Sequence, residues 1–225
     1  MAQPTELKGR DLIAYRTARF FNDGDVVNLG IGMPTKCLDY LPEGIDVWVD
    51  TENGAIGLAG PPKAGEPVDK DVCDAAGNPS TLRVGACCFD SFTSFGYIRG
   101  GHVDISVLGA YEVDQEGNLA NWMVPGKTAA GMGGAMDLVA GAKKVIVMTE
   151  HCDKQGNPKI LKKCKLPLTA VAEVDIIVTE LCVLERTEEG LVLTELAPGV
   201  TVEDVVSKTD AELIIPEKNG SMIKD

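Results

Sequence analysis

The chain has 225 residues, 44% of them hydrophobic and 24% charged, and carries a formal net charge of −13. That length can bury one substantial core, and the composition is that of an average globular protein, which excludes disordered and fibrous classes. The acidic balance excludes nucleic-acid binding through clustered Lys and Arg, and any anion site has to be built locally against the overall charge.

Met1 to Arg10 is polar and lacks the apolar run of a signal peptide. No stretch approaches the roughly 18 apolar residues of a membrane span. The seven cysteines are an odd number with no C-x-x-C pair, so a cytoplasmic protein with reduced thiols is expected.

Residues 7–23 predict a first helix stopped by Gly24, with glycine just past the helix end. Asp25 to Leu29 predicts a strand that ends at Gly30-Ile31-Gly32, followed by a short helix from Pro34. A second strand, Asp46 to Asp50, leads into Thr51-Glu52-Asn53-Gly54, and residues 59–81 read as an irregular excursion. Val103 to Leu108, Lys144 to Met148 and Ile176 to Thr179 are apolar strands, with a turn at Gln115 to Asn118 and a helix opened by Gly131-Met132-Gly133-Gly134. A hairpin is expected around Glu188 to Gly190, and Thr201 to Asp204 resembles a helix N-cap box with Asp for Glu. No internal repeat is expected. Together these elements predict one α/β domain over residues 1–225, with a mostly parallel sheet covered by helices on both faces and an antiparallel hairpin near the C-terminus.

In such sheets ligands bind at the carboxyl ends of the strands, where both Gly30-Gly32 and Glu52-Gly54 fall. Gly30-x-Gly32, with Asp50 about twenty residues on, is a partial dinucleotide fingerprint; Thr35 stands where the third glycine belongs. It suits either a nicotinamide cofactor in a dehydrogenase or a tight structural turn. At Glu52, Asn53-Gly54 tolerate positive φ, so the turn can aim a carboxylate into a cleft, or be no more than a turn with a solvated charge. Gly131 to Gly134 leaves backbone N–H groups open to an oxyanion or phosphate, or serves close packing. His102 and His151 are the only histidines, His151-Cys152-Asp153 has no metal-ligand spacing, and no metal is expected. Cys87-Cys88 reads as packing.

Four stretches carry a resemblance: Val27 to Pro34, the Glu52-Asn53-Gly54 turn, Ile98 to Asp104, and Leu119 to Lys127 running on into Gly131 to Leu138. They resemble the β subunit of the family I coenzyme A transferases, from the first helix to about Ile215. The family usually has Ser-Glu-Asn-Gly at the turn, and here Thr51 replaces the serine. The resemblance implies that Glu52 is the catalytic carboxylate, carrying coenzyme A as a thioester between half-reactions, and that Gly131, Met132, Gly133 and Gly134 line the coenzyme A channel. Gly30, Gly32 and Asn53 complete the expected coenzyme A site. It further implies coenzyme A as a co-substrate with no tightly bound cofactor, and an α-subunit partner in a dimer of heterodimers. The expected reaction moves coenzyme A between a short-chain acyl-CoA and a free acid, acetoacetate with butyrate or acetate leading, with Arg99 or Lys127 as candidate receivers of the acid. A sugar-phosphate isomerase on a similar sheet is the other alternative.

Overall fold

A computed structural model describes residues 4–127, 129 and 131–223. In chain order its strands are β1 Val26–Leu29, β2 Trp48–Thr51, β3 Ala55–Leu58, β4 Leu82–Cys88, β5 Ile105–Gly109, β6 Glu112–Asp114, β7 Leu119–Ala120, β8 Lys144–Met148, β9 Ile160–Leu161, β10 Ile176–Val178, β11 Cys182–Thr187, β12 Gly190–Leu196, β13 Leu213–Ile214 and β14 Gly220–Ser221. The α-helices are α1 Gly9–Ala18, α2 Ser91–Arg99, α3 Ala135–Gly141 and α4 Val202–Ser207, and a 3-10 helix spans Met33–Tyr40. Residues 1–3 of the polar N-terminus lie outside the described residues. Among the described residues no helix is long and apolar enough to cross a membrane.

The strands form a mixed sheet in the order β13-β12-β11-β10-β8-β5-β1-β2-β3-β4, with β14 paired to β12. Its centre, β10-β8-β5-β1-β2, is parallel; the pairings β2-β3-β4 on one side and β10-β11-β12 on the other are antiparallel, and β13 and β14 lie parallel to β12. Central strands are apolar on both faces because both are covered. Val27, Ile105, Val107, Ile146, Met148 and Val178 meet Leu12, Ile13 and Tyr15 of α1 on one face. Leu108, Val145, Val147, Ile177 and Leu184 on the other face meet α3, α4 and a small sheet of β7-β6-β9. The buried Arg16 of α1 and Glu195 of β12 join helix to sheet through a two-pronged ion pair, Nη2 to Oε1 at 2.9 Å.

Several expectations need correction. The first helix stops at Ala18, not at residue 23. Arg19 folds its guanidinium back onto the carbonyls of Tyr15 and Tyr40, at 2.8 and 3.2 Å, which ends the helical ladder. Gly24 keeps the positive φ expected of it (+84°) but uses it to turn the chain into β1, donating to the Asp46 carbonyl. Cys87 and Cys88 do not pack: both are exposed on β4, which ends the sheet without a covering layer in this chain.

A short repeat is also present. Asp74, Asp114 and Asp153 each open a D-x-x-G-N turn. In each, Oδ1 accepts from the backbone two and four residues on, and Oδ2 accepts from the Asn side chain. Two copies extend to C-D-x-x-G-N-P, at 73–79 and 152–158, where the cysteine and proline form a matching isolated bridge.

Candidate active site

The strand order reverses between β1 and β5: the chain moves outward from β1 to β2, then returns to lay β5, β8 and β10 on the other side. Loops leaving β1 and β2 therefore part at the carboxyl edge, which opens a crevice there. Gly30 closes β1 by donating to the Val107 carbonyl at 2.8 Å, and a Cβ on it would meet that oxygen at 3.1 Å. Gly32, with φ +95°, turns the chain into the 3-10 helix.

Glu52 stands at the tip of the β2-β3 hairpin, half-buried. The Thr51 hydroxyl donates to Asn53 Oδ1 at 2.7 Å, and Asn53 Nδ2 reaches the Cys73 carbonyl at 3.1 Å, so the turn is tied to the excursion beside it. Thr51 is itself 4% exposed, so the added methyl is accommodated and the hydroxyl closes the turn. Gly54 takes φ +124° because Phe89 crosses it so closely that a Cβ would sit 2.2 Å from the Phe89 carbonyl oxygen. Glu52 is thereby held forward on a fixed support. Among the described residues no hydrogen bond or ion pair reaches its carboxylate.

The glycine loop comes to the same place. A Cβ on Gly134 would lie 3.1 Å from Glu52 Cγ and 3.3 Å from the Phe95 ring, so the last glycine of Gly131 to Gly134 lies directly against the carboxylate stem. Gly131 and Gly133 take positive φ, and Met132 accepts from Ala135 N–H as the loop enters α3. The sequence motifs at 52–54 and 131–134, some eighty residues apart, thus meet where Gly134 lies against Glu52.

A cleft of about 650 Å³ opens beside Glu52, between the 3-10 helix and the excursion, with Leu29, Gly32, Val49, Leu58 and Ala75 on its walls. Among its lining residues Lys36 is the one cation, at 2.6 Å from Asp11. Arg99 is instead committed to Asp137 at 2.7 Å, and neither it nor Lys127 lines this cleft. Sequence reasoning missed Lys36, which stands one turn beyond the Gly32 bend. It also missed α2, although Asp90 caps that helix by accepting from Thr93 N–H at 2.7 Å, a signal legible in Asp-Ser-Phe-Thr.

Under α2 lies a row of buried polar groups on three neighbouring strands. Ser106, Asn28 and Asp50 are cross-strand partners, and Asn28 Nδ2 donates to Asp50 Oδ2 at 3.0 Å. Asp50 is 2% exposed, and burial, with a smaller push from the Glu52 charge, raises its carboxyl to about 6 against the opposing Asn28 hydrogen bond. This arrangement removes support from the dinucleotide reading, which needs Asp50 open to a ribose and Gly32 opening an α-helix. The histidines stand apart: His102 stacks on Tyr97, while His151 is enclosed between Thr179 and Thr209, and burial lowers it to about 4. Among the described residues no group of three or more His, Cys, Asp or Glu is placed to hold a metal ion.

Known proteins are similar to this chain in sequence and fold. The chain is 52% identical to the β chain of the acetate CoA-transferase of Haemophilus influenzae over 94% of each chain. It is 44% identical to one subunit of a probable succinyl-CoA:3-ketoacid coenzyme A transferase of Bacillus subtilis, covering 93% of this chain and 97% of that one. In fold it is similar to the acyl-CoA transferase YdiF of Escherichia coli O157:H7, with a TM-score of 0.75 and 24% identity over 99% of this chain. It spans only 44% of that longer chain. Residues 10–208 match the Coenzyme A transferase family. With that match over most of its length, the chain belongs to the coenzyme A transferase family.

Proposed function

We propose that this chain is the nucleophile-bearing β subunit of a two-subunit enzyme that moves coenzyme A between a short-chain acyl-CoA and a free carboxylic acid, with Glu52 as the nucleophile. The observation that carries the reading is the Glu52 carboxylate, without a partner among the described residues and held on a hairpin tip against Gly134 at a cleft. The names of its relatives, acetate and succinyl-CoA:3-ketoacid transferases, support small acids and 3-oxoacids as substrates. Acetoacetate with butyrate or acetate is the leading pair.

A Glu52 oxygen attacks the donor thioester carbonyl and expels the coenzyme A thiolate, giving a mixed anhydride. The thiolate then attacks the glutamyl carbonyl and releases the donor acid as its carboxylate, leaving a glutamyl-CoA thioester. The acceptor carboxylate runs the same steps backwards. A carboxylate is a weak nucleophile, so orientation has to contribute up to about 7–11 kcal/mol and each oxyanion donor roughly 3–4 kcal/mol. Binding of the coenzyme A body supports that positioning, with Gly131 to Gly134, Gly30, Gly32 and Asn53 lining its path. Coenzyme A acts as co-substrate with no tightly bound cofactor, and an α subunit completes the site in a dimer of heterodimers.

The test loads the two-subunit enzyme with acyl-CoA in the absence of acceptor. Coenzyme A mass is expected on the peptide containing Thr51 to Gly54. Glu52→Gln, which nearly keeps the shape of the side chain, is expected to lose both label and turnover while remaining folded. Label on another carboxylate, or an active Glu52→Gln enzyme, overturns the reading.

A further inference from the structure

Two carboxyl groups lie on the same face of one strand and its turn. Glu52 is forward at the cleft, and Asp50 lies two residues behind it, beneath α2. Side chains two residues apart on a strand point to the same side, and Glu52 directly follows the last residue of β2; a Cβ on Gly134 would lie 3.1 Å from Glu52 Cγ, while Asp50 accepts from Asn28. Asp50 is 2% exposed. Its Oδ2 accepts from one neutral amide, and its Oδ1 has no hydrogen-bond partner among the described residues. The hydroxyls of Ser94 on α2 and Ser106 on β5 are likewise enclosed and unpartnered.

Among the described residues no cation offsets a charge at Asp50. Titratable groups near it are Glu52 on its own turn and Tyr97 on α2, whose phenol is raised by burial first and then by the charges of Asp50, Asp104 and Cys87. His102 stands behind Tyr97, at 5.0 Å between rings. The flanking strands contribute Asn28 and Ile56, neither of which titrates. An anion in such a place is held by its surroundings more weakly than a neutral acid.

We propose that Asp50 is a charge-coupled carboxyl behind the nucleophile, one that releases a proton when Glu52 is acylated and recovers it when Glu52 returns to a carboxylate. The inference rests on Glu52 as the nucleophile. Glu52 loses its negative charge on becoming a thioester, and the repulsion that disfavours an Asp50 anion goes with it. Coupling between two sites is reciprocal, so acylation of one strengthens the acidity of the other. The Asp50 O–H bond breaks, its electron pair stays on the carboxylate, and the proton passes to solvent. Loading itself exchanges one carboxylate for another and one thioester for another, so it yields no proton. Any release belongs to a coupled group.

The magnitude follows from the ranking of causes at Asp50, where Glu52 stands behind burial and the Asn28 hydrogen bond. Removal of the Glu52 charge lowers the Asp50 carboxyl, so a release of less than one proton per Glu52 is expected. The experiment mixes the two-subunit enzyme with acyl-CoA and no acceptor, in weak buffer with a pH indicator, from about pH 5 to pH 8, while mass spectrometry follows the thioester. A proton burst that matches thioester formation, peaks near the Asp50 value of about 6 and fades by about pH 8 is expected. Glu52→Gln, which binds but cannot be acylated, reports any proton from binding alone. Asp50→Asn, which can still accept from Asn28, is expected to form thioester without the burst. Thioester formation with no burst beyond that of Glu52→Gln overturns the proposal, as does a burst that survives in Asp50→Asn. If Asp50→Asn fails to fold, the wild-type pH dependence decides: a burst that stays constant to about pH 8 overturns it. Absence of any thioester on wild-type Glu52 sinks the nucleophile reading instead, by a separate signal.

Discussion

Alanine at Gly134 would put one methyl carbon 3.1 Å from Glu52 Cγ and 3.3 Å from the Phe95 ring. Carbon atoms rest at about 3.5–4.0 Å, so one neighbour has to move by about half an ångström. Phe95 is fixed in α2 and packs against the Ile98, Val103 and Leu138 cluster, whereas the Glu52 carboxylate has no partner among the described residues to hold it. Glu52 is the side that yields. The backbone does not resist, since φ at Gly134 is −82°, ordinary for any residue. Stability should therefore change by less than about 1 kcal/mol, a shift of at most about 2–4 °C in Tm. Catalysis should suffer more. A displacement of 1 Å costs about a hundredfold, so half of that costs about tenfold in kcat, with KM for the acyl-CoA moving less. Single-turnover loading of coenzyme A onto Glu52, measured beside thermal melting, separates the two effects. Wild-type loading by a Gly134→Ala enzyme would refute the idea that this contact sets the nucleophile's position, and collapse of the fold would show that Phe95 or the backbone takes the strain.

Gly54→Ala should behave differently, because its Cβ would meet a backbone oxygen at 2.2 Å with φ at +124°. A loss above about 3 kcal/mol is expected, and a near-normal melting temperature would contradict it. Thr201→Ala removes a capping box that Thr201 and Asp204 both complete, and should cost about 1 kcal/mol with activity unchanged. Stability against pH carries two opposing contributions. His151, lowered from 6.5 to about 4, adds stability that is present above pH 6.5 and lost as pH falls through 4. Asp50, raised from 3.8 to about 6, adds stability that is present below 3.8 and lost as pH rises through 6. Each is worth about 3 kcal/mol and they nearly cancel from about pH 4 to 6, so Asp50→Asn should lose stability on acidification more steeply than wild type in urea unfolding. Parallel slopes would count against the buried state of one of the two groups.

The parts of the fold that local sequence decides were legible. β10 is a short, wholly apolar run, and β8 is one after its first residue, Lys144. The β11-β12 hairpin carries its turn at Glu188 to Gly190, and the Thr201 box carries its own cap. β3 and β4 were not legible, because Ala-Ile-Gly-Leu and Leu-Arg-Val-Gly-Ala-Cys-Cys contain glycines that make sense only when paired: a Cβ on Gly57 would meet Ala86 Cβ at 2.8 Å. The site divides in the same way. Glu52 and its turn stood out in four residues, and the glycine loop in another four. Their contact through Gly134, the burial of Asp50 and the placing of Lys36 at the cleft are products of tertiary packing, which no single stretch of chain records.

The D-x-x-G-N turn is closed by its Asp, Gly and Asn, and the side chains of its two middle positions take no part in the bonds to the Asp. The three copies carry Ala75-Ala76, Gln115-Glu116 and Lys154-Gln155 there, so the same backbone accepts small, acidic and basic pairs alike. In the first copy those positions line the cleft beside Glu52. That part of the cleft wall can therefore be changed at two residues while the Asp-Asn bonds that hold the turn stay closed.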